Sequence, residues 1–400
     1  MRIYLDHNAG APLRPEVRFA IARFTEADEA GNPASVHRSG QRARRELEHA
    51  RERVARLIGA AAREIVFTSG GTESNNLAIR GVAEGSAARR RIVTSAIEHS
   101  SVLAPMEYLA ARGFEVVHLA PDSGGRIAPA AVEAALDSDT VLVSLALANA
   151  EVGTIQDATA MAGPIARAGA ILHLDAAQAA GRIPIDVGSD LRCDLMTISA
   201  HKIGAPAGIG ALYVRAGLEL APLITGGPHE AGMRAGTPNL LGAIAFGIAA
   251  EAAGAHLDEE SARVATLAQR MLARLGASIP GLRINGAADR RLANTLNLTF
   301  PEVLGESMLI ALDLEGVEVS MGSACAAGAV EPSHVLVAMG LGREEARSSL
   351  RLSLGWSTTA HEIDRAADII ARLWRRVRAA EPLAGAVPAR PGTVAGEAMR

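Results

Sequence analysis

Cysteine is nearly absent from this chain, with two residues in 400. So sparse a supply excludes a disulfide framework and points to a reducing compartment. An excess of basic charge is missing too. Net charge is −4 and charged residues are 21% of the chain, a balance that does not point to a nucleic-acid binder. The basic cluster Arg89-Arg90-Arg91 reads as a solvated loop. Long apolar runs are lacking as well. The longest weakly charged stretch, around Leu240–Ala250, is rich in Gly and Ala and too short to span a bilayer. The start, Met1-Arg-Ile-Tyr-Leu-Asp6, has no basic segment followed by an apolar one, so no signal peptide is expected. The absences lead to the expectation of a soluble, cytoplasmic protein with no membrane or nucleic-acid partner.

What is present is an apolar fraction of 49%, ample for a buried core. Short apolar runs alternate with helical patterns. Candidate strands are Glu64–Thr68, Arg91–Thr94, Glu115–Leu119, Val141–Ser144, Ile171–Leu174, Leu195–Ile198 and Gly210–Val214. Amphipathic stretches such as Pro129–Leu136 and Thr159–Arg167 lie between them, and Arg44 and Glu48 mark an exposed helix face at i,i+4. This alternation predicts an α/β fold with a mainly parallel, seven-stranded, doubly wound sheet. Its ligand belongs at the carboxyl ends of the strands. After about residue 252 the pattern changes to a smaller α+β domain. It contains a helix near Glu259–Leu275, an alternating half-buried strand Asn294–Phe300, a helix Gly305–Glu315, a strand Leu350–Leu354 and a last helix Thr359–Arg378. The expected domains are 15–252, then 1–14 together with 253–380. The Pro-, Gly- and Ala-rich segment 381–400 is expected to be disordered.

Several residues that follow predicted strands carry chemistry. Lys202 ends the run Asp194-Leu-Met-Thr-Ile-Ser199-Ala-His201-Lys202. A lysine amine beside other cationic groups can bond to a carbonyl carbon. Asp175 ends the run Ile171-Leu-His-Leu174; a carboxylate there needs a cationic partner or serves as a helix N-cap. Gly70-Gly71-Thr72 joins a strand to a helix, where backbone N–H groups bind phosphate. An amine, a carboxylate for a pyridinium nitrogen and a phosphate cradle are what pyridoxal phosphate requires. Gln178 is a further donor toward the ring oxygen or the phosphate. His99 either stacks on the pyridine face and shuttles protons or is structural. Cys325, in the small-residue loop Ser320–Gly328, has the setting of an exposed, reactive thiol, whereas Cys193 reads as buried and inert. Arg351, inside an apolar strand, is either a bidentate partner for a substrate carboxylate or half of a structural ion pair.

With these motifs the chain resembles the cysteine desulfurases of the class V aminotransferase family, in the branch with a short Cys loop. The resemblance runs from about Leu5 to Thr359. It is carried by Gly31-Asn-Pro-Ala-Ser35, Phe67–Ser74, Glu98-His99, Asp175-Ala-Ala-Gln178, Ser199-Ala-His-Lys202, Gly226-Gly227 with Arg234–Thr237, and Gly322-Ser-Ala-Cys325 with Glu331–Val335. It implies a pyridoxal-phosphate-dependent transferase of fold type I. The cofactor contacts would be Gly71, Thr72, His99, Asp175, Gln178, Ser199, His201 and Lys202, with Thr237 reaching the phosphate of the other subunit of a homodimer. It implies L-cysteine as substrate, held by Arg351 and Asn149, and L-alanine as product. Lys202, His99 and Cys325 would be catalytic. Cys325 would carry the sulfur as a persulfide to an acceptor protein, either an iron–sulfur scaffold or a tRNA-thiolation factor. It is also the candidate ligand for an iron–sulfur cluster held transiently during transfer.

Three departures stand out. The family's paired asparagines are here Asn149-Ala150, and the missing side chain normally contacts the cofactor ring oxygen. One such hydrogen bond is worth roughly 1–3 kcal/mol. The family's Ala-Thr-Thr-Pro is here Ala9-Gly-Ala-Pro12. The tail after Arg378 lacks the pattern that docks a scaffold protein. Two other readings remain: a selenocysteine lyase or related pyridoxal β-lyase, and a weakened, non-catalytic homologue.

Overall fold

A computed structural model describes residues 2–27, 31–86, 88–322 and 331–380. Cys325 and the tail 381–400 lie outside the described residues. Twelve strands are present among these residues. They are β1 (Ile3–Tyr4), β2 (Ile65–Thr68), β3 (Arg91–Ser95), β4 (Glu115–Leu119), β5 (Thr140–Ala146) and β6 (Ile171–Asp175). The second half contributes β7 (Leu195–Ser199), β8 (Gly210–Val214), β9 (Arg283–Asn285), β10 (Thr295–Thr299), β11 (Val317–Glu318) and β12 (Ser349–Ser353).

Seven of them form one sheet in the order β2-β8-β7-β6-β5-β3-β4. The five strands β7, β6, β5, β3 and β4 pair in parallel, while β8 runs antiparallel to both β7 and β2. Two reversals leave β2 pointing the same way as β7. The carboxyl ends of β2, β3, β5, β6 and β7 therefore share one edge. Strand β7 is buried along its length, and β6 nearly so, because apolar clusters lie on both faces of the sheet. The helix Arg38–Leu57 and the helix Leu240–Ala255 pack together on one face, and the helix Gly71–Gly85 lies on the other. All seven strands expected from the sequence are present.

A separate core gathers Ile3, Leu5, Met271, Phe300, Leu312, Leu352 and Trp374. It fills the space between the sheet β12-β10-β9 and the helices Leu257–Ser278, Gly305–Leu314 and Ala360–Ala380. We read this partition as two domains, with the N-terminal strand β1 paired to β11 in the second. No single described helix is long and apolar enough to cross a membrane.

One expectation needs correction. β10 alternates in sequence but is buried on both faces. Its apolar residues Leu296 and Leu298 enter the second core. Its polar face is covered by protein instead of water: Thr295 Oγ1 accepts from Asn8 Nδ2 of the N-terminal segment, and Asn297 Nδ2 donates across to the Glu151 carbonyl of the first domain. Alternation reports two chemically different faces and does not reveal that the polar one is an interdomain surface.

Candidate active site

The shared strand edge carries the site. After β7 the chain makes a single tight turn, Ala200–Lys202. The Lys202 Nζ donates to the carbonyls of Asn8 at 2.5 Å and Ala9 at 2.9 Å. Burial and the positive charges of Arg182 and Arg351 outweigh Asp6 and Asp175, and the amine falls to about 8. Arg182 has no carboxylate partner among the described residues; it donates to Asn8 Oδ1, to the Gln178 side chain and to the backbone of His7 and Lys202. A cationic neighbour held without a counter-ion is one way to keep a lysine nucleophilic. Composition held a signal that motif reading passed over. Lys202 is the sole lysine in the chain; every other member of its 40 Lys and Arg residues is arginine.

Asp175 ends β6, the neighbour of β7, and is buried. Asn75 Nδ2 donates to its Oδ2 at 2.7 Å and the Ala177 N–H to its Oδ1 at 2.9 Å. No helix begins after Asp175, so the N-cap reading falls away. Each carboxylate oxygen keeps room for one more donor. Two residues earlier, and so on the same sheet face, His173 is buried between Ser144 Oγ and Thr197 Oγ1. Burial holds it down to about 4.

His99 caps the helix Ser100–Ala110 with its own ring: Nδ1 accepts from the Ser101 N–H at 3.1 Å and lies 2.8 Å from Ser101 Oγ. Burial lowers its pKa, as do Lys202 and His334, against the opposing charge of Asp175. Its neighbour Glu98 is buried and pushed up to about 8 by desolvation, with Asp175 adding to the effect.

The Gly70–Gly71 turn opens the helix Gly71–Gly85. It sits so close to β8 that a Cβ at Gly210 would lie 2.7 Å from Gly70 Cα, so only glycine fits there. A Cβ at Gly71 would meet the Ser199 side chain at 3.4 Å. Ser199 Oγ is 3.0 Å from His201 Nδ1, and burial with Lys202 and Arg182 lowers His201 to about 4. Glu73, in the first turn, takes the Ser69 N–H and Arg234 Nε, which fastens the loop bearing the exposed Thr237 to the glycine turn. Thr72 is exposed beside it.

The remaining predicted residues have specific partners. Gln178 Nε2 donates to the Asn8 carbonyl at 3.0 Å. Asn149 spends its amide on the backbone, donating to Ile97 O and accepting from Glu151 N and Val152 N, which holds the turn that carries Ala150. Arg351 makes the ion pair, with Asp6 Oδ1 at 2.7 Å, and its NH1 reaches the Ala150 carbonyl. Its buried Nε has no partner among the described residues. Both flanks of the segment that holds Cys325 are tied to this region. Glu151 accepts from Ser333 Oγ and packs so tightly on Gly322 that a Cβ there would lie 2.7 Å from its Oε2. His334 Nε2 is 3.0 Å from the Glu98 carbonyl. Cys193, by contrast, is buried and its thiol is pushed up to about 12 by desolvation, so it is inert.

Asn8 is the hub that motif reading missed. Its carbonyl receives Lys202 and Gln178, its Oδ1 receives Arg182 and Asn294, and its Nδ2 donates to Ala150 O and Thr295 Oγ1. A single N-terminal asparagine has no sequence neighbour that would flag it, because all of these partners are distant in the chain.

The family described as aminotransferase class-V matches residues 3–366. A protein named cysteine desulfurase IscS from Dictyoglomus turgidum is 42% identical over 95% of this chain and 96% of its own length. One of the same name from Methanosarcina thermophila is 40% identical over 95% of this chain and 94% of its own. The solved structure of a NifS-like protein from Rickettsia africae superposes with a TM-score of 0.84 at 32% identity, covering 94% of this chain and 100% of that one.

Proposed function

This chain belongs to the aminotransferase class-V family, and on that premise we infer that it is a pyridoxal-phosphate-dependent cysteine desulfurase converting L-cysteine to L-alanine. The observation that carries the reading is Lys202 and Asp175 at the carboxyl ends of adjacent strands, with the lysine amine lowered to about 8. The residues present fit the cofactor. Asp175 has acceptor room for a pyridinium N–H, the glycine turn has no side chain in the way of a phosphate, and Lys202 is an available amine.

When bound, pyridoxal phosphate supplies an electron sink for the bonds to the substrate Cα. Asp175 would hold its ring nitrogen, Gly71 and Thr72 its phosphate together with Ser199 and His201, and Lys202 its aldehyde carbon. With substrate in the site, the Lys202 amine would take the proton from Cα. Arg351 holds the substrate carboxylate, using the Nε–H left over from its pair with Asp6. The Cys325 thiolate would attack the substrate sulfur and keep it as a persulfide as the Cβ–S bond breaks; that bond's electron pair stays with the three-carbon remainder, which is protonated at Cβ and Cα and leaves as alanine. The persulfide passes to an acceptor protein of the iron–sulfur scaffold or tRNA-thiolation class in the cytoplasm. The active unit is a homodimer in which Thr237 reaches the other subunit's phosphate, so a monomeric sedimentation profile would contradict it.

The test is release of sulfide and alanine from L-cysteine, with reductant, by wild type beside Cys325→Ser. Equal amounts from wild type and a collapse in the variant are expected. Activity on selenocysteine that survives Cys325→Ser would move the assignment to a selenocysteine lyase. No turnover by cofactor-loaded wild type would favour a non-catalytic homologue. Ala150 gives a further prediction. Restoring the family's side chain with Ala150→Asn supplies one hydrogen bond worth roughly 1–3 kcal/mol, so kcat/KM is expected to rise about tenfold. An unchanged kcat/KM would mean that the site has adapted to its loss.

A further inference from the structure

We propose that Asn75 is a positioning residue that, through Ser101, holds His99 as a neutral imidazole with its proton on Nε2. The argument follows the donors in order. Asp175 as a carboxylate only accepts, so the Asn75 atom 2.7 Å from its Oδ2 must be the amide nitrogen. The same nitrogen lies 2.8 Å from Ser101 Oγ and gives it the second amide hydrogen. The Ser101 hydroxyl proton is then directed to His99 Nδ1, 2.8 Å away. The Ser101 backbone N–H donates to that same nitrogen. A nitrogen that accepts twice has no room for a proton of its own, so the neutral ring carries it on Nε2. All of Asn75, Ser101 and Asp175 are buried, so water does not scramble the order. Asn75 Oδ1 has no partner among the described residues, and nothing competes with Asp175 and Ser101 for the amide's orientation.

The charged and titratable groups facing His99 come from three other elements: Asp175 on β6, Lys202 after β7 and His334 on the helix His334–Ala338. Asp175 alone favours the imidazolium; burial, Lys202 and His334 oppose it, and the two donors on Nδ1 leave no site there for a second proton. His99 therefore enters the reaction as an Nε2–H donor, and base work is left to Lys202. This last step rests on the desulfurase reading; the protonation state itself does not.

The test uses the cofactor-loaded protein labelled with 15N-histidine, with His99 assigned by the signal lost in His99→Gln. Long-range 1H–15N spectra of wild type should show Nε2 protonated and Nδ1 bare at neutral pH. Ser101→Thr keeps both donors and should leave this unchanged. Asn75→Asp adds a carboxylate that draws away the Ser101 hydroxyl and frees Nδ1. The His99 titration, and the acid limb of kcat/KM with it, should rise by about one to three pH units. A proton on Nδ1 in wild type, or an imidazolium at neutral pH, overturns the proposal. So does a folded Asn75→Asp protein whose His99 titrates as wild type. Should Asn75→Asp fail to fold, the wild-type tautomer decides by itself. Failure of the desulfurase reading would look different: no sulfide from wild type, with the tautomer intact.

Discussion

Replacing Lys202 by alanine is expected to lower sulfide release from L-cysteine by about 10³–10⁴-fold. Two roles are lost at once, the bond to the cofactor and the base for the Cα proton. In most proteins a neighbouring lysine can take over part of such a loss, but this chain has no second lysine. Borohydride reduction should therefore add the cofactor's mass to a single peptide, the one with Lys202, and to none in Lys202→Ala. A trapped adduct elsewhere in the variant would remove Lys202 from the assignment. The pH dependence has a definite sign. With its amine lowered to about 8, the free-base fraction of Lys202 grows about tenfold per unit as pH rises toward that value, then levels off. The rate of cofactor attachment to the empty protein should follow that curve and not one centred on the ordinary lysine value. The cause is spatial. Arg182 and Arg351 lie close enough to oppose a third positive charge, and the carbonyls of Asn8 and Ala9 accept from the amine without neutralising it.

The second large effect is on stability. Glu230→Ala should lower the free energy of unfolding by about 3–5 kcal/mol. The Glu230 carboxylate receives Arg51 NH1 at 2.6 Å, Arg51 NH2 at 2.8 Å and the Phe67 N–H at 2.7 Å. Side-chain exposure is 10% for Arg51 and 4% for Glu230, so removing the acid strands a charge away from water. Arg51 also stacks over the Phe67 ring at 4.8 Å and donates to Ile65 O, so the unpaired guanidinium would disturb β2 directly. Glu230 sits at φ 47°, a left-handed conformation that costs a non-glycine residue energy. That strain persists because the turn aims the carboxylate at Arg51. Urea unfolding of the cofactor-loaded protein measures the effect. The double variant Arg51→Met with Glu230→Leu should recover most of the loss, since a buried pair replaced by apolar groups is often neutral. A Glu230→Ala midpoint within error of wild type would show that water reaches Arg51 in the folded state.

Much of the site was legible in order along the chain. Strand residues are apolar because both sheet faces are covered, and apart from Thr237 the proposed cofactor residues lie at the end of such a run or within a few positions of it, as Asp175 and Lys202 do. A parallel sheet brings those strand ends to one edge whatever their spacing in sequence. The same local logic separated Cys193, inside the core, from Cys325 in its loop of small residues. It stopped where partners are remote. Arg351 admitted two readings because Asp6 is 345 residues away, and only folding shows the ion pair together with an Nε–H left without a partner among the described residues. The polar face of β10 read as a surface because its cover comes from Asn8 and Glu151 in another part of the chain.

The sequence by itself determined the seven-stranded α/β framework, the kind of chemistry and the lysine and aspartate proposed to hold the cofactor. These depend on periodicity and on residues adjacent to strand ends, which are local properties. Tertiary structure alone decided the electrical state of those residues. The lowered amine of Lys202, the proton position on His99, the buried Arg51–Glu230 pair and the Asn8 hub each need groups from distant segments within a few ångströms. Coulomb forces and hydrogen bonds depend on distance in space, and sequence order does not report it.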